Sequence, residues 1–254
     1  MFMRILLILF FIFMFINSFA QVNTEKYRTP DTLKGFAGYF EFSGTIKTGN
    51  SEKTEAGFDG RIDWKLSSVT TFLIFESDYE WINGNRTSNE GLIHLRHVRQ
   101  LTTLLDIEFF GQVNYDKKVL VDNRELIGTG IRYKFLNFSN GDLTLGTAYM
   151  FEHENFNLPG NAVHLSEVND HRWSNYVSYY LAINPYVNFG GVVYYQPMFK
   201  NFGDYKLLAE NSLTVKLTEL VSLSINFKLR HDSEPPDGIK QTDTKTDIGI
   251  AFKF

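Results

Sequence analysis

The sequence predicts an all-β protein, a closed antiparallel transmembrane β-barrel of about 12 strands. Three observations carry that expectation. Hydropathy alternates with a period of two from Gly35 onward, the connections between alternating segments are by turns short and long, and nothing after Ala20 is apolar for long enough to be a spanning helix.

The first element is a leader. Arg4 carries one positive charge, Ile5–Ile16 is an unbroken apolar run, and the small residues Ser18 and Ala20 precede Gln21. That run is shorter than the ~20 residues of a spanning helix and has the flanks of an export signal. Residues 1–20 are therefore expected to be a signal peptide that is cleaved, leaving 254 − 20 = 234 residues. Residues 21–34 are expected to be a short polar periplasmic lead-in, and residues 35–254 the barrel. No cysteine follows Ala20, so a lipid cannot be attached there and no disulfide can staple the fold.

Strands are expected at about 36–48, 54–66, 71–82, 88–98, 101–115 and 123–135, then at about 142–154, 172–184, 186–196, 205–217, 221–231 and 242–254. The stretch Ala56–Leu66 shows why. One parity reads Ala56, Phe58, Gly60, Ile62, Trp64, Leu66, and the other reads Gly57, Asp59, Arg61, Asp63, Lys65. A strand gathers the first set on one face and the charges on the other, whereas a helix would scatter them. Most segments exceed the ~9–11 residues that a tilted strand needs to cross a bilayer. Residues 71–82 alternate least cleanly.

Short turns are expected at Ser67-Ser68, Arg99-Gln100, Asn184-Pro185 and Thr218–Leu220, with a slightly longer one at Leu136–Gly141. Longer connections lie between them, notably Asn155–His171, Pro197–Asp204 and Asp232–Gln241. Outer-membrane barrels pair short periplasmic turns with long external loops, and an even strand number returns both termini to the periplasmic side. Closure is also required, because an unpaired backbone group in hydrocarbon costs several kcal/mol. Aromatic residues number 24 Phe, 13 Tyr and 3 Trp, and many of them, including Trp64, Trp81, Tyr115, Tyr149 and Trp173, sit toward strand ends as in the girdles of a membrane barrel. A soluble β-sandwich or lipocalin-like barrel would alternate equally, with its oily face inward.

If lipid takes the apolar parity, the lumen receives the ionic one. The residues expected to line a solute path are Arg61, Glu76, His94, Asp106, Arg124, Arg132, Glu152, Glu210, Lys228 and Asp247. Hairpin registers are expected to set Asp106 against Arg132, His94 against Asp106, Arg61 against Glu76, Arg124 against Glu154, and Glu210 against Lys228, which also reaches Asp247. Two uses of such an interior compete: a narrow watery path, or a lumen packed shut by interlocking side chains.

Chemistry has one place to hide. Glu152-His153-Glu154 precedes the longest loop, and His164, Ser166, Glu167, Asp170 and His171 follow. These residue types can bind a divalent metal, but parity sets His153 opposite to its neighbours and no fixed spacing recurs. His164-Leu165-Ser166 with Asn169 resembles the His-x-Ser arrangement of outer-membrane phospholipase A, though here it falls in a loop. No catalytic group, metal or cofactor is expected. A net charge of −4, or −5 once Arg4 is removed, gives no reason to expect nucleic acid.

Asn123-Arg124-Glu125-Leu126-Ile127-Gly128-Thr129-Gly130-Ile131-Arg132-Tyr133, followed by Leu143–Glu154, resembles the salt-induced outer-membrane protein family, domain-of-unknown-function family 481. The likeness extends from about Gly35 to Phe254. It implies an outer-membrane protein of unassigned substrate, and it makes Ile248, Ile250, Phe252 and Phe254 look like the signal read by the barrel-assembly machinery. Gly128 and Gly130 would leave room beside Arg132 for its guanidinium or for a constriction. The function expected is a monomeric, narrow passive channel for ions or small solutes, set among outer-membrane lipids and lipopolysaccharide. The alternatives are a structural or stress-adaptive envelope protein with a plugged lumen, and an outer-membrane lipid hydrolase.

Overall fold

A computed structural model describes Lys26 and residues 34–49 and 52–254. The expected signal peptide and most of the lead-in lie outside the described residues. Twelve strands follow in order: β1 (Gly35–Lys47), β2 (Lys53–Lys65), β3 (Val69–Ile82), β4 (Asn85–Gln100), β5 (Leu105–Asp116) and β6 (Val121–Phe138), then β7 (Gly141–Phe156), β8 (Glu167–Asn184), β9 (Val187–Met198), β10 (Asn201–Lys216), β11 (Val221–Asp232) and β12 (Thr242–Lys253). Each pairs antiparallel with its sequence neighbours, and β1 pairs with β12, so the sheet closes.

Closure leaves no strand edge for hydrocarbon to desolvate. The seam is the shortest ladder, running from Tyr39↔Lys253 to Ser43↔Gly249. The last residue extends it. Gly38 and Phe254 exchange backbone hydrogen bonds of 3.1 and 3.0 Å, and the Phe254 ring stacks on Phe40 at 4.9 Å.

The faces sort as the alternation predicts. Outward positions carry Phe36, Ile93, Phe109, Ile127, Ile131 and Ile248, all exposed, while the charges Arg61, Asp63, Arg96, Glu108, Arg124 and Glu152 on the other parity are buried. This arrangement inverts a soluble domain, in which the oily face is the covered one.

Several boundaries differ from expectation. Arg99-Gln100 continues β4, and the turn is 101–104, where Leu101 and Thr102 both donate to the Leu105 carbonyl. Between β3 and β4 the connection shrinks to Asn83-Gly84, both at positive φ (50° and 76°), as a tight two-residue hairpin requires. The connection between β9 and β10 is likewise only 199–200, and that between β7 and β8 is 157–166, because ladder pairing persists into segments whose hydropathy reads as loop.

The two longest loops, 157–166 and 233–241, lean together at one rim. The Asp237 carboxylate accepts from the Val163 and His164 amides at 2.7 Å each, and Pro236 is buried. The His164 amide, helped by that of Val163, holds the Asp237 carboxyl below the usual carboxylate range. A lowered folded-state pKa means the latch is fully formed above the ordinary value of ~3.9 and is lost as pH falls through the lowered one. Hydrogen exchange at Val163 and His164 should therefore be slow at neutral pH and become fast in Asp237→Ala. Replacing lipid-facing Ile127 by Arg is expected to lower the stability of the barrel in lipid vesicles by about 2–4 kcal/mol, read by denaturant titration. An unchanged midpoint would deny that Ile127 faces hydrocarbon.

Candidate functional site in the barrel lumen

All ten residues assigned to the lumen project inward and are held by partners there. The first group lies toward the rim of long loops. Arg124 donates to Glu152 and lies 3.4 Å from Glu154, the residue opposite it on β7. Glu152 also binds Arg172 at 3.0 Å and Lys206 at 2.8 Å, so three cations surround one buried carboxylate. Arg172 in turn reaches Asp170 and Asp204, each at 2.9 Å.

The second group crosses the lumen. Lys228 on β11 lies 2.9 Å from Glu76 on β3 and 3.1 Å from Glu210, its register partner on β10. Arg230, one inward step along, reaches Glu90 at 2.9 Å and Asp116 at 2.7 Å on β4 and β5. The expected contact of Lys228 with Asp247 is not made. Lys245 faces Lys228 in the register, and Asp247 instead accepts from Asn226 at 3.0 Å.

Two further registers need correction. His94 faces Gln112 rather than Asp106, because the turn after β4 lies at 101–104 and shifts the hairpin; its ring nitrogen is 3.1 Å from the Gln112 amide oxygen. Arg61 faces Ile74, and Glu76 faces Asp59, a slip of two positions from the expected hairpin. Arg61 is instead bonded through Nε and Nη2 to Asp63 on its own strand, with its guanidinium 4.3 Å over the Phe72 ring. Asp106 does sit opposite Arg132, but its ion pair is with Lys134 at 3.4 Å, while Arg132 lies 4.0 Å from Glu108.

Between these two loop-side groups and the turn-side residues Arg61, Asp106 and Arg132, the lumen narrows to a layer that the sequence reading missed. Arg96, fully buried, lies 3.1 Å from Glu108 and over the rings of Phe110 at 4.8 Å and Tyr176 at 5.6 Å. Tyr176 crosses from β8 to donate to Glu108 at 2.8 Å. Phe110, Leu126, Met150, Val192, Tyr194 and Leu208 pack around them with little or no exposure. These are apolar residues on the ionic parity, so hydropathy alone assigns them no face. The signal available was parity counted from neighbouring charges, as at Glu108-x-Phe110 and Arg124-x-Leu126.

Glycines make that layer possible. A Cβ at Gly146 would lie 2.0 Å from the Tyr176 ring, and one at Gly128 would lie 2.3 Å from the Phe110 ring. Of the two uses expected for the space at Gly128, room for the Arg132 guanidinium or a constriction, the structure shows the second, because the Phe110 ring of the layer fills it.

Open space remains on either side. A cavity of about 400 Å³ opens at the rim of short turns, lined by Arg61, Lys65, Asp106, Arg132, Lys134 and Thr144 among others. A second of about 330 Å³ opens at the loop rim beside Glu80, Glu90, Lys118, Arg230 and Lys245.

The residues that suggested chemistry are dispersed. Glu152 and Glu154 point inward into the arginine cluster, whereas His153 pairs with Asn169 at 2.9 Å on the outer face. His164 uses Nδ1 on the Leu165 carbonyl at 2.8 Å rather than on Ser166. Among the described residues no three His, Asp or Glu side chains are grouped to hold a metal ion.

Removing one member of a buried charge cluster leaves the others uncompensated, at about 3–5 kcal/mol. Arg172→Met should destabilise the barrel by that amount in urea titrations, and Arg172→Lys by less. Equal midpoints for parent and Arg172→Met would mean that Glu152, Asp170 and Asp204 do not depend on it.

Among solved structures, the chain is similar to the NanC porin, with 12% identity over 86% of this chain and 100% of that one and a TM-score of 0.48. It is similar also to the KdgM porin in complex with disordered oligogalacturonate (9%, 86% and 99%, TM-score 0.44). A third is the translocator domain of autotransporter NalP from Neisseria meningitidis (13%, 86% and 87%, TM-score 0.44). No curated protein matches the chain. The family model described as protein of unknown function, DUF481, matches residues 40–254, nearly the whole barrel, and the chain belongs to that family.

Proposed function

We propose that the protein is a monomeric outer-membrane barrel through which ions or small solutes pass passively, restricted by the side-chain layer around Arg96, Glu108 and Tyr176. One observation carries this reading: cavities of about 400 and 330 Å³ open at opposite rims and are divided by that layer. Their linings mix carboxylates, ammonium groups and hydroxyls, surfaces that favour water and small ions over apolar ligands.

The proposed orientation sets the rim of short turns toward the periplasm. Both the start of β1 and the end of β12 lie at that rim. Residues 1–20 would direct export and be removed, and the strand ending in Phe254 would be read by the barrel-assembly machinery. Lipids and lipopolysaccharide would cover the apolar belt.

A second reading is a structural or stress-adaptive barrel with its lumen shut. The bonds that span the interior, Tyr176 to Glu108, Lys228 to Glu76 and Arg230 to Asp116, favour it. Planar-bilayer conductance separates the two. The parent is expected to give a small current and Tyr176→Ala one several-fold larger, while Arg132→Glu should shift the reversal potential toward cations. Background current from all three, in several salts, would remove the channel reading and leave the closed barrel.

A further inference from the structure

Lys26 belongs to the lead-in, yet its ammonium lies inside the barrel. Nζ is 2.5 Å from Asp59 and 3.5 Å from Glu41, and the side chain is only 14% exposed. Glu41 stands six positions along β1 from Gly35, roughly 20 Å from the turn rim at ~3.4 Å per residue. The nine residue steps from Lys26 to Gly35 can span about 30 Å, so the reach is available.

The surroundings select for a cation. Besides Glu41 and Asp59, the carboxylates here are Glu76, Asp78, Glu210 and Asp247. The other cations are already engaged: Lys228 by Glu76 and Glu210, and Lys245 by Asp78 at 2.6 Å. Ser224 and Asn226 each donate to Glu41 at 2.8 Å, but they are neutral. Glu41 is 1% exposed, and a buried carboxylate without a countercharge is strongly disfavoured. Beside Lys26 is a polar cavity of about 30 Å³, enough for one small ion or water.

We propose that Glu41 and Asp59 form a cation-binding site inside the barrel and that Lys26 is its tethered occupant, holding the place of a free monovalent cation or primary amine. The site stands whether or not the barrel conducts. Under the channel reading, a cation that enters this site competes with the Lys26 ammonium.

Chemical rescue tests the site without reference to transport. In folded, detergent-purified protein, Lys26→Met is expected to lower the unfolding temperature by several degrees, and added ethylammonium should restore it, while the parent and a Lys26→Met, Asp59→Asn double variant stay indifferent to the amine. Lys26→Met melting like the parent, or showing no response to ethylammonium, would overturn the proposal. A second readout uses the absence of cysteine from the chain. Lys26→Cys should react with a bulky water-soluble thiol reagent at least ~10-fold more slowly than Cys at exposed Ser67 in folded protein, and equally fast once unfolded. Equal rates in folded protein would place Lys26 outside the lumen and overturn the proposal. In bilayers, rescue without any current would remove the channel and keep the site. Current unchanged by Lys26→Met, without rescue, would do the reverse.

Discussion

Every feature of this molecule follows from one constraint: backbone N–H and C=O groups that cross hydrocarbon must find partners within the sheet. A twelve-stranded sheet meets that requirement only by joining β1 to β12, and this seam is the shortest ladder in the barrel. Its weakness is offset locally. Phe254 adds two backbone hydrogen bonds to Gly38 beyond the end of β12, and Phe40, Phe42, Phe58, Phe75 and Phe254 form a chain of ring contacts across the outside of the joint.

Closure dictates the interior. Once the apolar parity faces lipid, the other parity of every strand is confined to a narrow cylinder in which charges cannot reach bulk water freely. Each carboxylate must then meet a cation or a hydrogen-bond donor, and each cation a carboxylate or another acceptor. Acids on β3, β4 and β5 are matched by Lys228 and Arg230 from β11 across the lumen, and Glu152 gathers three cations from β6, β8 and β10. The layer around Arg96 goes further, exchanging water for rings and so dividing the lumen into two vestibules.

Much of this was legible in the sequence, and the limits have physical causes. A clean two-residue alternation, as in β2, assigns strand, face and approximate ends together. The pairings of Arg124 with Glu154 and Glu210 with Lys228 follow from hairpins whose turns the residue types mark well. His94 and Arg61 were misregistered because a turn displaced by a few residues moves every cross-strand partner, and turn composition near Arg99 and Ser67 does not mark the bend to that accuracy. The irregular alternation of β3 has a structural cause, since Phe72 and Ile74 lie on its inward parity together with Glu76. Apolar residues in a lumen are invisible to a reading that equates oil with lipid. Lys26 was illegible for another reason: nothing in a polar lead-in says which side of the wall it occupies.

The account stands on oil lying outside a closed cylinder and charge lying within it. Fluorophores attached to single cysteines, introduced one at a time into the cysteine-free chain at Phe109, Ile127 and Ile225 and at inward Gln112 and Ser178, can be challenged with quenchers carried on lipid acyl chains. The account predicts strong quenching at the first three sites and little at the last two. The opposite pattern, or equal quenching at all five, would contradict it.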